Sequence, residues 1–141
     1  MGARRTGRER ALQALYQLEM TPGTSVFEAL SSAWSASTEE GKPDPEAVRF
    51  AQELVDGVQK HRDEVDQLIE KHSHNWRLDR MSRIDRNVLR LGVFELKYRP
   101  DIPKKVSINE AVELGKNFGT EESSAFVNGL LDRVAVALGK P

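Results

Sequence analysis

Apolar residues along this chain recur every three or four positions, with no stretch of alternate-residue spacing and no hairpin turn flanked by strands. That period predicts helices throughout. From about Thr6 to Met20, Ala11, Leu12, Ala14, Leu15 and Leu18 share an inward face, and Tyr16 lies on its flank. Thr21-Pro22-Gly23 ends this helix. Val26, Phe27, Leu30, Ala33 and Trp34 then repeat at helical spacing, most simply as core. Residues 35–45 carry Ser, Thr, Gly and two prolines and predict a loop, the least ordered part of the chain. Asp44-Pro45 opens the next helix, with Asp as N-cap and Pro at the first helical position. Its stripe is Ala47, Ala51, Leu54, Val55 and Val58, and the pattern resumes through Val65, Leu68, Ile69 and His72 after a break near His61-Arg62-Asp63.

Three further helices complete the pattern. Ser82-x-x-Asp85 is a capping box for a helix running to Tyr98, whose Ile84, Val88, Leu91, Gly92 and Leu96 face inward. Glu95 projects into the middle of that arc, where a carboxylate must be paired or hydrogen-bonded. On the opposite face Arg83, Arg86, Arg90 and Lys97 cluster around Phe94, which by composition predicts a docking surface. Ser107-x-x-Glu110 is a second capping box. The helix it opens ends at Gly119, where a left-handed C-terminal position is easiest for glycine. Thr120 restarts the chain with Glu121 and Glu122 in a first turn. Val127, Leu130, Leu131, Val134 and Leu138 line the last helix. The fold class is all-α, a bundle of about seven helices in two small subdomains, roughly residues 1–62 and 63–141. Gly57, Gly92, Gly115 and Gly129 fall inside helical patterns, where close helix–helix approach is the expected compensation.

Two phenylalanines sit outside the apolar stripes: Phe118 at the rim beside the turn, Phe126 on the flank of the last helix. With Lys116 close by, they form either a stacking platform for bases or the edge of a core, and periodicity leaves both open. Arg5 precedes Tyr16 by eleven residues, about three helical turns, so both share a face if the first helix extends that far back.

Composition adds two constraints. In 141 residues there is no cysteine, which fits a reducing cytosol and excludes disulfides and thiolate metal sites. The net charge of −1 hides a segregation. Arg4, Arg5, Arg8 and Arg10 crowd the N-terminus, arginines recur from Arg77 to Arg90, and acids dominate residues 39–70. Such a charge-polar chain suits a polyanion on one face and another partner elsewhere. His61, His72 and His74 have no metal-ligand spacing, which predicts surface or rim roles, and no cofactor motif is present. No run is apolar enough to span a membrane.

Four blocks in order, RRTGRERALQALY (4–16), DRNVLRL (85–91), VSINEAVEL (106–114) and FVNGLLD (126–132), resemble the NusB family of transcription antitermination factors. The resemblance covers nearly the whole chain apart from the 35–45 loop. It implies a cytoplasmic, non-enzymatic, all-helical protein that binds the boxA element of ribosomal RNA leader transcripts. Its partner would be NusE, a small-subunit ribosomal protein, and the pair would join other Nus factors on RNA polymerase. Carried over by position, the RNA-contacting set is Arg4, Arg5, Arg8, Tyr16, Phe118, Glu122 and Phe126, to which Lys116 is added from its place beside the turn. NusE is expected around the fifth helix, with Asp85 the best carry-over by motif; Arg83, Arg86, Arg90 and Phe94 are added from helical phase. Arginines would then hold phosphates while rings stack unpaired bases.

Two other readings stand beside this one. A related helical domain precedes the catalytic domain of ribosomal RNA cytosine methyltransferases. That reading expects a cofactor-binding α/β domain downstream, and no glycine-rich strand–helix turn occurs in these residues. Alternatively the bundle is a protein-binding adaptor or homodimer, with Phe94 and the arginines as its contact.

Overall fold

The computed structural model describes residues 2–37, 41–74 and 76–141, so Thr38, Glu39 and Glu40 of the predicted loop lie outside the described residues. Among the described residues there are seven α-helices, one 3-10 turn and no strand. The chain divides into two compact units, Met1–Gln59 and Lys60–Pro141.

The first unit holds α1 (Ala3–Met20), α2 (Val26–Ser35) and α3 (Pro45–Lys60). Helix α1 begins three residues earlier than the apolar pattern requires, so Arg4 and Arg5 are helical. Ser25 caps α2 by accepting from the Glu28 amide at 3.1 Å, and its hydroxyl bonds the Glu28 carboxylate in turn. Asp44 caps α3 as expected, accepting from the Glu46 amide at 2.9 Å. Ala11, Leu12, Ala14 and Leu15 meet Ala29, Leu30 and Ala33 and the α3 stripe in a core that also takes in Phe50. At Gly7 a Cβ would stand 3.0 Å from the Ala47 carbonyl oxygen, so α3 crosses α1 closely there. Phe27 departs from the predicted core and is 76% exposed. It is the second residue of α2, and its neighbours Ala29, Leu30 and Ala33 already fill the inward face.

The second unit is built around α5 (Arg83–Tyr98), which packs against α4 (Arg62–Lys71), α6 (Lys104–Phe118) and α7 (Ser123–Ala137). Every residue from Asn87 to Leu96 is buried, so α5 is covered on all sides and presents no continuous free face. At Gly92 a Cβ would lie 2.6 Å from Leu131 Cδ1, the close approach expected of an in-helix glycine. The same explanation does not extend to Gly115, where a Cβ would find ordinary contact at 3.5 Å.

Two helix starts differ from the sequence reading. Helix α6 begins at Lys104 after Pro103, so Ser107 lies inside it and does not cap. Its hydroxyl instead donates to Glu95 Oε1 at 3.0 Å, giving that buried carboxylate a partner. Helix α7 begins at Ser123, three residues after Thr120. The reason is local: Ser123 Oγ accepts from the Thr120 amide at 2.9 Å and closes a turn over residues 120–123. Gly119 is extended (φ −100°, ψ −156°), outside the left-handed region. Its lack of a side chain matters for space, since a Cβ would fall 2.3 Å from Ser123 Oγ.

Candidate nucleic-acid and partner interface

The leading arginines separate into two kinds. Arg4 and Arg5 are exposed on the first turns of α1. Arg8 is 3% exposed, with its guanidinium 5.2 Å from the Phe50 ring centroid. The expectation that Arg8 belongs to an RNA-contacting arm is corrected on that ground: a cation packed face-on to a buried ring serves the core. The Arg4 guanidinium also lies over the Phe50 ring, 5.5 Å from its centroid, while the residue remains exposed. Arg10 is also internal, bonding Gln13 and Ser37 over the Trp34 ring. Tyr16 is half-buried on the flank of α1.

In the second unit the rim aromatics keep away from the core centre. Phe118 is 39% exposed at the end of α6, Phe126 is half-buried on the first turn of α7, and Lys116 and Glu122 are exposed. Glu122 and Phe126 line a cleft of about 320 Å³ with Trp76, Arg80, Met81, Ser82, Asp85 and Thr120. Its volume is at the lower end of the range that holds a small organic group. The cleft thus gathers residues predicted for RNA and the residue best placed for a protein partner. Trp76 and Arg80 were not singled out from the sequence. The available signal was a tryptophan outside every apolar stripe and next to Arg77 and Arg80; in the structure Trp76 is 56% exposed. Its carbonyl is tied down by the Ser73 hydroxyl, which fixes the backbone that carries the ring.

Asp85 has two attachments at the head of α5. Its amide donates to Ser82 Oγ at 3.1 Å, completing half of the predicted capping box. Its carboxylate is turned away from that box and accepts from the Ser123 hydroxyl at 2.6 Å.

The proposed basic docking stripe of α5 is largely an internal seam, a correction to the phase argument. Arg90 is 3% exposed and makes a two-pronged ion pair with Asp66 of α4 at 2.8 and 3.1 Å, with Asn87 beside it at 3.0 Å. Arg86 donates to the Leu78 and Met81 carbonyls at 3.1 Å, fastening the 3-10 turn, Leu78–Arg80. Lys97 pairs with Glu64, which also accepts from the Tyr98 hydroxyl. Phe94 is 5% exposed and stacks on Tyr98, with His61 on that ring at 4.1 Å. Arg83 alone among the five partner candidates is exposed. The acids of α4 answer the bases of α5, so the segregated charge seen in the sequence is partly spent inside this unit.

Electrostatics follow these contacts. Lys97 first, and Tyr98 after it, hold the Glu64 carboxyl below its usual range. The same carboxylate pushes the Tyr98 phenol up to about 12. His72 is half-buried and its Nε2 has no hydrogen-bond partner among the described residues; burial first, then Lys71, Arg133 and His74, keeps its imidazole neutral to lower pH. Among the described residues no group of three or more His, Cys, Asp or Glu side chains could hold a metal. No helix among the described residues is long and apolar enough to cross a membrane.

Seven helices and no strand among the described residues define an all-helical protein. A NusB family model matches residues 5–136. The transcription antitermination protein NusB of Myxococcus xanthus is 84% identical over 141 residues, the whole of both chains. A NusB structure from T. maritima superposes with a TM-score of 0.84 at 37% identity, covering 94% of this chain and 90% of that one. A crystal structure of the antitermination factors NusB and NusE in complex with double-stranded RNA superposes with a TM-score of 0.83 at 30% identity, covering 96% and 97%. The chain belongs to the NusB family.

Proposed function

We propose that this chain is a cytoplasmic transcription antitermination factor that acts by recognition and not by catalysis. It binds boxA-type single-stranded RNA of ribosomal RNA leader transcripts together with NusE, and the pair joins other Nus factors on RNA polymerase. The observation that carries the reading is the exposure of Phe118 at the end of α6 and the place of half-buried Phe126 in the cleft that holds Asp85 and Glu122. Family membership supports it, as does the neighbouring structure in which NusB and NusE are bound to RNA.

The roles divide by chemistry. Arg4, Arg5 and Lys116 supply cations for phosphates, which carry little sequence information. Tyr16, Phe118 and Phe126 supply rings, and base–ring stacking contributes about 1–3 kcal/mol per base. Glu122 repels phosphate and therefore serves a base N–H or an arginine. Asp85, half-buried at the head of α5, is the group of that helix assigned to NusE, with exposed Arg83 near it in sequence. The adaptor and homodimer reading loses the contact on which it stood, because Phe94 and Arg90 are buried inside the second unit.

Titration of labelled single-stranded boxA RNA, alone and with NusE, tests the reading. Binding should tighten with NusE, and Phe118→Ala and Phe126→Ala should each weaken it by about 5- to 100-fold, the stacking loss for one base. Arg8→Ala should act through lowered stability. Wild-type affinity in both phenylalanine variants, or equal competition by fully double-stranded RNA, would refute the stacking site.

A further inference from the structure

One carboxylate joins the surface read as facing RNA to the surface read as facing NusE. Asp85 Oδ1 accepts from the Ser123 hydroxyl at 2.6 Å, and Ser123 Oγ accepts from the Thr120 amide at 2.9 Å. A chain of bonds therefore runs from the first turn of α5 to the turn between α6 and α7. Ser123 is 1% exposed, so water does not compete for these bonds. Gly119 leaves the room they need. The second oxygen of Asp85, Oδ2, makes no hydrogen bond or ion pair among the described residues, and Asp85 lines the cleft.

We propose that Ser123 is a positioning residue that couples the two ligands, a reading that rests on the function proposed above. A donor group of the protein partner captured at Asp85 Oδ2 fixes the carboxylate in the orientation that holds Ser123. Ser123 in turn holds the Thr120 amide, and with it the turn flanked by Phe118, Glu122 and Phe126. The ordering that RNA requires of this turn is then already made when NusE is bound. Two ligands that order the same element bind with positive cooperativity even where they never touch. Coupling of this kind is reciprocal, so RNA must raise the affinity for NusE by the same factor as NusE raises that for RNA. A purely structural bond would lower stability and both affinities without changing that factor.

The test is a four-cornered binding cycle with the full chain, labelled single-stranded boxA RNA and NusE, for wild type, Ser123→Ala and Asp85→Asn. Ser123→Ala should keep its affinity for NusE alone within about twofold while the enhancement between ligands falls by about fivefold or more, the lower end of ordinary coupling factors. Asp85→Asn retains an oxygen that accepts from Ser123, so its turn stays ordered while its affinity for NusE drops. Hydrogen exchange gives a readout that needs no RNA: NusE alone should slow exchange of the Thr120 amide in wild type and not in Ser123→Ala. Wild-type enhancement in Ser123→Ala, an unchanged affinity of Asp85→Asn for NusE, or equal loss of both affinities with the factor intact would each overturn the coupling alone. A wild-type chain that binds neither ligand would remove the functional reading and the coupling together.

Discussion

Gly92 and Leu131 show how little slack the second unit has. A methyl at Gly92 would stand 2.6 Å from Leu131 Cδ1, and Leu131 is completely buried, so its side chain has nowhere to swing. Gly92→Ala should therefore cost about 1–3 kcal/mol of stability despite its better helix propensity, read by urea denaturation. The need for a partner at Glu95 was legible from its place in an apolar arc, but which residue supplies it was not. Ser107 has the spacing of a capping residue, and only the position of Pro103 shows that the helix has already begun. Gly119 was likewise marked as special for backbone freedom when the actual reason is space for the Ser123 hydroxyl. In each case the sequence identified a constrained residue, while the constraint came from a contact made only on folding: twelve residues along the chain for Glu95 with Ser107, four for Gly119 with Ser123.

Helix α5 was the element hardest to read, because helical phase distinguishes two faces and says nothing of what covers the second. Its bases and Phe94 looked like an outward stripe; α4 meets Arg90 with Asp66 and Lys97 with Glu64, and Arg90 becomes an interior cation. The acidic bias of the preceding segment was the clue, since oppositely charged amphipathic helices close in sequence are natural neighbours. The Glu64–Tyr98 contact gives this seam a measurable pH dependence. Tyr98 is raised from 10.0 to about 12, so its contribution is fully present below pH 10 and is lost as pH climbs towards 12. Glu64 is lowered from 4.5, so its contribution is present above that value and lost as pH falls through the lower folded one. Thermal melting from pH 9 to 12 should show a decline in wild type that Tyr98→Phe flattens. An identical alkaline profile in that variant would rule the contact out as its source.

For the molecule as a whole, helix count and class followed directly from the 3.6-residue period, since no other period competed with it. The rim aromatics were also legible, because a ring off the stripe is visible in sequence; Trp76 escaped notice because it lies between helices, where there is no stripe to be off. Charge was read less well, since a count of arginines does not tell which ones are buried. With Arg8 in the core, Arg4, Arg5 and Lys116 are the cations left to the proposed RNA site, and three phosphate contacts there would give a slope of about −2 in log K against log salt for a single strand. Replacing Lys116 by Ala should flatten it by about 0.7, measured by titration at several potassium concentrations. The early start of α1 has a consequence for how such a strand is met. Because the helix is already formed at Ala3, the backbone that carries the exposed Arg4 and Arg5 is set before any ligand arrives. On the function proposed above, a strand that binds there would cost little main-chain freedom in the protein.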